Sequence, residues 1–325
     1  MLKAPFIYFG GKSNASDLIW SKLGSDAGNY IEPFFGSGVV LLNRPKQFNG
    51  WIRVNDLNGH VANFWRSMKL KPELVAENAN NPVNEIELHA RHLSLVKHSE
   101  ELSLRMMADT EFCDPKLAGW WCWGINCWIG SGWCAGDGPW SAIKNEEGNL
   151  IFGQGVNRKL PHLGGGQGVN RKLPYMGGYG NGCNQKINRD RLEWLNEWFF
   201  ELSESLKDVV VCCGDWYRLM SVGSMTKNGV CAVLLDPPYS QTSAVYASDS
   251  TTVAHDVRAW CVENGNNPLL RIALCGHDTE HNELEALGWS VESWDKPAGD
   301  QGADDRERIW FSPNCLKASK QGELF

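Results

Sequence analysis

No run of apolar residues in the chain approaches the ~18 to 20 needed to cross a bilayer. The amino terminus has neither the apolar stretch of a signal peptide nor the Arg/Ser bias of a transit peptide. A cytoplasmic protein is the expectation. Paired Cys-x-x-Cys spacing is missing as well. The eleven Cys are odd in number and scattered, so reduced, buried thiols are expected rather than a disulfide framework, and Cys122, Cys127 and Cys134 lack the spacing of a zinc site. An excess of positive charge is also absent. A net charge of −7 argues against a protein that coats nucleic acid indiscriminately, because phosphate binding needs clustered Lys and Arg. One stretch reverses that balance. Between Leu150 and Arg189 there is no Asp or Glu, while Arg158, Lys159, Arg171, Lys172, Lys186 and Arg189 make a basic island in an acidic chain.

The 325 residues suffice for one sizeable domain with a large insertion, or for two domains. A hydrophobic fraction of 42% and a charged fraction of 21% are ordinary for a globular protein, but 16 Trp and 34 Gly are not. The first sixty residues alternate short apolar runs with helical stretches. Asp17 to Leu23 reads as a helix, Tyr30-Ile31 as a strand ending at Glu32-Pro33, Gly38 to Leu42 as the opening of another helix, and Ile52 to Val54 as a strand closed by Asn55-Asp56. That rhythm predicts a parallel α/β sheet. From about Asn58 to Cys127 the pattern is helical, with Glu85 to Met106 the clearest element. Regularity then stops. Six Trp fall between positions 120 and 140, and ten of the thirty residues from Gly153 to Gly182 are glycine. Within this stretch Gly153–Gly165 is duplicated as Gly166–Gly178, a unit too short and too few in copies for a solenoid. The α/β rhythm returns with a helix over Arg191 to Leu206 and strands at Val209 to Cys213, Cys231 to Leu235, Leu269 to Leu274 and Trp289 to Trp294. The reading is a Rossmann-like α/β domain formed by 1–60 and 189–315. It is interrupted by a mostly helical and loop-rich insertion, 61–188, and followed by a tail, 316–325.

The strongest chemical signal is Val233-Leu-Leu-Asp236-Pro237-Pro238-Tyr239, an apolar strand that ends in a carboxylate and an extended Pro-Pro turn. At the carboxyl edge of a parallel sheet this presents an anionic oxygen, a fixed carbonyl and an aromatic face. An exocyclic aromatic amine needs those groups, because its lone pair is delocalised into the ring. If Asp236 and the Pro237 carbonyl each accept one amine hydrogen, the nitrogen moves toward tetrahedral geometry and its lone pair localises toward an incoming methyl group, with Tyr239 stacking on the base. A strand that simply ends in Asp and a Pro-Pro turn is the plainer alternative. A second signal is Tyr30-Ile-Glu32-Pro33-Phe34-Phe35-Gly36-Ser37-Gly38, whose glycines let the backbone approach a ligand and whose following helix offers its positive end. Asp56 closes the next strand about twenty residues later, where an acid can bind both ribose hydroxyls. Without a third spaced glycine or a Gly-Lys-Ser/Thr sequence, an adenosine group fits better than a dinucleotide or ATP. The third signal, Pro5-Phe-Ile-Tyr8-Phe9-Gly10-Gly11-Lys12, can fold over a carboxylate, and Lys12 is a candidate partner for a cofactor carboxylate.

Tyr8-Phe-Gly-Gly-Lys12, Glu32-Pro-Phe-Phe-Gly-Ser-Gly38, Asn55-Asp56 and Asp236-Pro-Pro-Tyr239, in this order, resemble the Dam-type (D12 class) DNA adenine-N6 methyltransferases. Arg306 to Pro313 is similar to the family's closing strand. The resemblance implies transfer of a methyl group from S-adenosyl-L-methionine to adenine in double-stranded DNA by base flipping. It implies contacts to that cofactor from Tyr8, Lys12, Asp56 and Asp236, and an adenine flanked by Asp215-Trp216. The motifs themselves add Gly10, Glu32, Phe34, Gly36 and Gly38 to the cofactor set, and Asp236, Pro237, Pro238 and Tyr239 form the catalytic set.

The family's insertion holds target recognition, which suits the basic island. Arg158, Lys159, Arg171 and Lys172, one pair per repeat copy, would contact phosphates or guanine edges, and a duplicated surface loop is the alternative. The Trp cluster is expected to pack a small helical core rather than to stack on bases. The closing Gln321-Gly-Glu-Leu324-Phe325 resembles a bacterial sliding-clamp peptide, with a frayed terminus as the alternative. Methylation of the N4 amine of cytosine, and an inactive DNA-binding relative, remain open at this level.

Overall fold

The computed structural model describes residues 2–6, 12–128, 133–134, 142–144, 150–152, 189–238, 250–294 and 307–317. The chain divides into two compact units, the first built from 1–4, 8–57 and 208–325, the second from 5–7 and 58–207.

The first unit is a sheet with seven strands among the described residues, in the order β5-β2-β1-β6-β7-β9-β8. The strands are β1 (Asn29–Glu32), β2 (Trp51–Asp56), β5 (Val209–Cys213), β6 (Cys231–Leu235), β7 (Leu270–His277), β8 (Ser290–Glu292) and β9 (Glu307–Phe311). β5, β2, β1, β6 and β7 pair in parallel, while β9 runs antiparallel to both β7 and β8. The expected Rossmann-like α/β fold is therefore present. The central strands are apolar because both of their faces are covered: every residue of β6 and β7 is buried. Alternate residues Cys231, Val233 and Leu235 of β6 and Leu270, Ile272 and Leu274 of β7 share one cluster with Val257, Trp260 and Cys261. Those three lie at helical spacing on α9 (Ser250–Asn264). α1 (Ser16–Leu23) lies against β7, and the turn after α1 is tied to the same strand by Arg271, whose guanidinium donates to both Asp26 oxygens at 2.6 and 2.9 Å and to the Leu23 carbonyl at 2.9 Å. The unit also holds two one-turn helices, α2 (Val39–Leu42) and α8 (Val222–Met225), and short 3-10 turns at Ser13–Ala15, Trp216–Leu219 and Asn282–Leu287.

The second unit is helical: α3 (Gly59–Leu70), α4 (Pro72–Ala79), α5 (Glu85–Ala108), α6 (Pro115–Cys127) and α7 (Arg189–Leu206). α7 packs against α3 and α4, and the unit runs to Lys207. Two short antiparallel strands, β3 (Ala142–Lys144) and β4 (Leu150–Phe152), also occur where the sequence pattern is irregular. α3 is buried from Gly59 to Met68, and its polar side chains are used as internal fasteners. Asn63 donates to the Asp114 carbonyl at 2.8 Å and accepts from the Asp114 amide at 2.7 Å, while the Asp114 carboxylate caps α6 through the Leu117 amide at 2.9 Å. Gly119 of α6 is required by close approach, since a Cβ there would stand 2.5 Å from the Asn78 Cβ and 2.7 Å from the Val75 carbonyl of α4. Of the tryptophan cluster, Trp121, Trp123 and Trp128 are buried in the core with Trp65 of α3, Trp120 and Trp133 are partly buried, and Trp140 lies outside the described residues; Phe6 meets Phe64 and Trp121 edge-on at 5.2 and 4.8 Å. Among the described residues no helix is long and apolar enough to cross a membrane.

Arg66 gathers the end of α5. Its buried guanidinium donates to the carbonyls of Met106, Asp109 and Phe112 at 3.3, 2.8 and 3.0 Å. Arg66→Met strands those carbonyls in the interior, and we expect a loss of about 3 kcal/mol in chemical unfolding. An unfolding midpoint equal to that of the wild type would show that the carbonyls find other donors.

Candidate active site

The carboxyl ends of β1, β2 and β5 are tied into one platform by short polar contacts. β1 runs into Pro33-Phe34-Phe35-Gly36-Ser37-Gly38, a turn with left-handed backbone at Gly36 (φ 46°) and Gly38 (φ 63°). A Cβ on Gly38 would also lie 2.6 Å from the Phe35 ring. Glycine is needed at this position on both counts. The Asp56 carboxylate, at the end of β2, accepts the Gly36 amide at 2.9 Å. Beside it, the Asn55 side chain donates to the carbonyls of Pro33 at 3.1 Å and Gly214 at 2.9 Å, linking the ends of β1, β2 and β5. α2 is a single turn, so the glycine turn itself, rather than the field of a following helix, is what this segment offers a ligand. Trp216, 8% exposed, stacks on Phe34 with ring centroids 6.0 Å apart and planes 27° from parallel. Asp215 caps the turn that carries Trp216, accepting the Tyr217 amide at 2.9 Å.

Lys12 is buried at 2% exposure, with its ammonium 3.0 Å from Asp236 Oδ2 and 3.8 Å from Glu307 Oε1. Burial alone would drive this lysine toward neutrality. The negative charge facing it, from Asp236 first and also from Glu307, outweighs burial and holds its pKa above the ordinary lysine value. Asp236 follows β6 directly and is partly exposed, with Pro237 buried behind it. Glu32, at the end of β1, is 4% exposed and accepts a hydrogen bond from the Tyr30 hydroxyl at 2.9 Å. Its pKa stands well above the usual glutamate value, chiefly through burial, with the hydroxyl opposing and the charges of Asp236 and Asp56 adding to the rise.

The structure thus brings Lys12, Glu32, Phe34, Gly36, Gly38, Asp56, Asp215, Trp216, Asp236, Pro237 and Pro238 into one unit at one edge of the sheet. Tyr8, Gly10 and Tyr239 lie outside the described residues, as do Arg158, Lys159, Arg171 and Lys172 and the tail residues Gln321, Leu324 and Phe325. Two members were missed by sequence reasoning. Asn55 stands out in the sequence only as the neighbour of Asp56, and Glu307 only as part of a strand; no spacing rule joins Glu307 to a lysine nearly three hundred positions earlier. Among the described residues no group of three or more His, Cys, Asp or Glu could hold a metal ion.

Residues 8–110 match the family model of D12 class N6 adenine-specific DNA methyltransferases. The matched segment carries Lys12, the glycine turn and Asp56, and it ends before Asp236. It supports adenine methylation of DNA as the activity. No curated protein matches the chain.

The raised pKa of Glu32 has a sign that can be checked. A carboxyl whose native pKa exceeds its unfolded value, near 4.3, holds its proton in the native state, so its contribution to stability is lost as pH rises through the native pKa. Glu32→Gln keeps an acceptor for Tyr30 and removes the ionisation. We expect the variant to melt above the wild type at about pH 8, with the gain shrinking toward about pH 5. A gain that is constant across that range in thermal unfolding would mean Glu32 ionises normally.

Proposed function

We propose that the protein methylates the N6 amine of adenine in double-stranded DNA, using S-adenosyl-L-methionine and a flipped base. The observation that carries this reading is the charge character of the glycine-turn site. Its flanking carboxylates are Asp56 and Asp236, and the cation that faces Asp236, Lys12, is already shared with Glu307. A phosphate-bearing ligand would be repelled there. A ligand with a sulfonium, an ammonium and a ribose diol suits it, and the Phe34–Trp216 stack offers an aromatic surface for its adenine. When bound, that cofactor supplies an electrophilic methyl group.

The chain's own residues do the rest. Asp56, braced by the Gly36 amide, holds the ribose hydroxyls. Asp236 and the Pro237 carbonyl accept the two hydrogens of the target amine, so that its lone pair is turned from the ring toward the methyl group, and Tyr239 holds the base plane. Neutral adenine needs no prior deprotonation; Asp236 is placed to take the proton as the methylated nitrogen becomes cationic. Lys12 keeps one of the Asp236 oxygens fixed. The 58–207 unit, with Arg158, Lys159, Arg171 and Lys172, selects the DNA target, and phosphate contacts from those residues give binding a steep dependence on salt.

Labelled methyl transfer to unmethylated DNA, followed by digestion to nucleosides, tests this reading. N6-methyladenine is expected, and N4-methylcytosine or no labelled nucleoside would refute it. Asp236→Ala should lower the transfer rate by at least ~10³-fold while DNA affinity stays within about threefold of wild type. A variant that transfers at the normal rate removes Asp236 from the mechanism.

A further inference from the structure

Glu307 has no part in the activity as derived so far, yet its side chain is only 12% exposed and its carboxylate oxygen is 3.8 Å from the Lys12 ammonium that also holds Asp236. It reaches that point from the far side of the sheet order. β9 enters antiparallel to β7, with Glu307 opposite His277, so the first residue of β9 lies at the edge where the parallel strands end. A carboxylate fully neutralised by an ammonium at 3.0 Å is a weak acceptor for the hydrogens of an aromatic amine, because its charge is already committed. A second carboxylate on the same ammonium divides that attraction. Lys12, Asp236 and Glu307 together then carry one net negative charge beside the reacting atoms. We propose that Glu307 is a positioning residue for methyl transfer, which acts through Lys12 to keep Asp236 oriented by one oxygen yet negative enough to draw on the amine. This inference rests on the methyltransferase reading above and deepens it.

Two features separate this role from simple charge balance around a buried lysine. The effect belongs to the chemical step and not to DNA binding, and it exists only while Lys12 is present. The experiment is therefore single-turnover methylation at saturating cofactor and DNA for the wild type, Glu307→Gln, Glu307→Asp, Lys12→Met and the double variant Lys12→Met/Glu307→Gln. Cofactor and DNA affinities and thermal midpoints are measured alongside. Glu307→Gln is expected to lower the rate about tenfold with DNA affinity unchanged. Glu307→Asp, which restores the charge, should recover most of the rate. In the Lys12→Met background the Glu307→Gln change should have no further effect, a coupling that independent sites do not show.

A wild-type rate in Glu307→Gln overturns the proposal and leaves the methyltransferase reading standing. So does a Glu307→Asp rate as low as that of Gln, which would point to packing, and so does simple additivity with Lys12→Met. If Glu307→Gln does not fold, the Glu307→Asp rate and its coupling to Lys12→Met decide the matter. A wild-type protein that binds the cofactor but labels no adenine overturns the methyltransferase reading, and this proposal with it.

Discussion

A lysine with 2% of its surface exposed stays charged only where anions face it, and Lys12 is faced by Asp236 and Glu307. That requirement organises the first unit. It demands that the segment after the amino terminus, the end of β6 and the start of β9 meet at one point, and the sheet satisfies it by placing β6 next to β7 and β7 next to an antiparallel β9. Asp236 in turn bears on Glu32, whose pKa is raised by burial first and then by the charges of Asp236 and Asp56. The edge of the sheet is thus a set of coupled charges whose net sign suits a cation.

The ligand side of the platform depends on a different kind of bracing. Asn55 and Asp56 use side-chain hydrogen bonds to tie the glycine turn to the ends of β1, β2 and β5. Strand ends are where backbone donors and acceptors leave the ladder, so a polar side chain that satisfies them also fixes the turn in space. The helical unit follows the same logic in its interior. Asn63 and Arg66 on the buried helix α3 take up backbone groups at the α5–α6 connection, which allows a helix with polar residues to be buried along nearly its whole length.

Much of this was legible because the patterns concerned are local. Prolines after Glu32 and Asp236 stop their strands, and β6 coincides with the apolar run Cys231 to Leu235. The acid closing β2 and the glycines after β1 were recognisable from spacing, since a tight turn imposes residue types at fixed intervals. The helix α7 shows the limit. Its apolar stripe at three- and four-residue spacing predicts a helix but not its partner, and it packs with α3 and α4. A hydrophobic stripe is satisfied by any apolar surface of the right shape.

The amino-acid sequence by itself determined the α/β class, the ends of β1, β2, β5 and β6, and the glycine turn, because each follows from backbone stereochemistry or from a short-range pattern. Only the tertiary structure decided what Lys12 faces. Its ammonium lies between Asp236 and Glu307, residues separated from it by most of the chain, and no periodicity connects them. Burial removes the water that would otherwise solvate the charge, so the partner is chosen by which strands the sheet brings together.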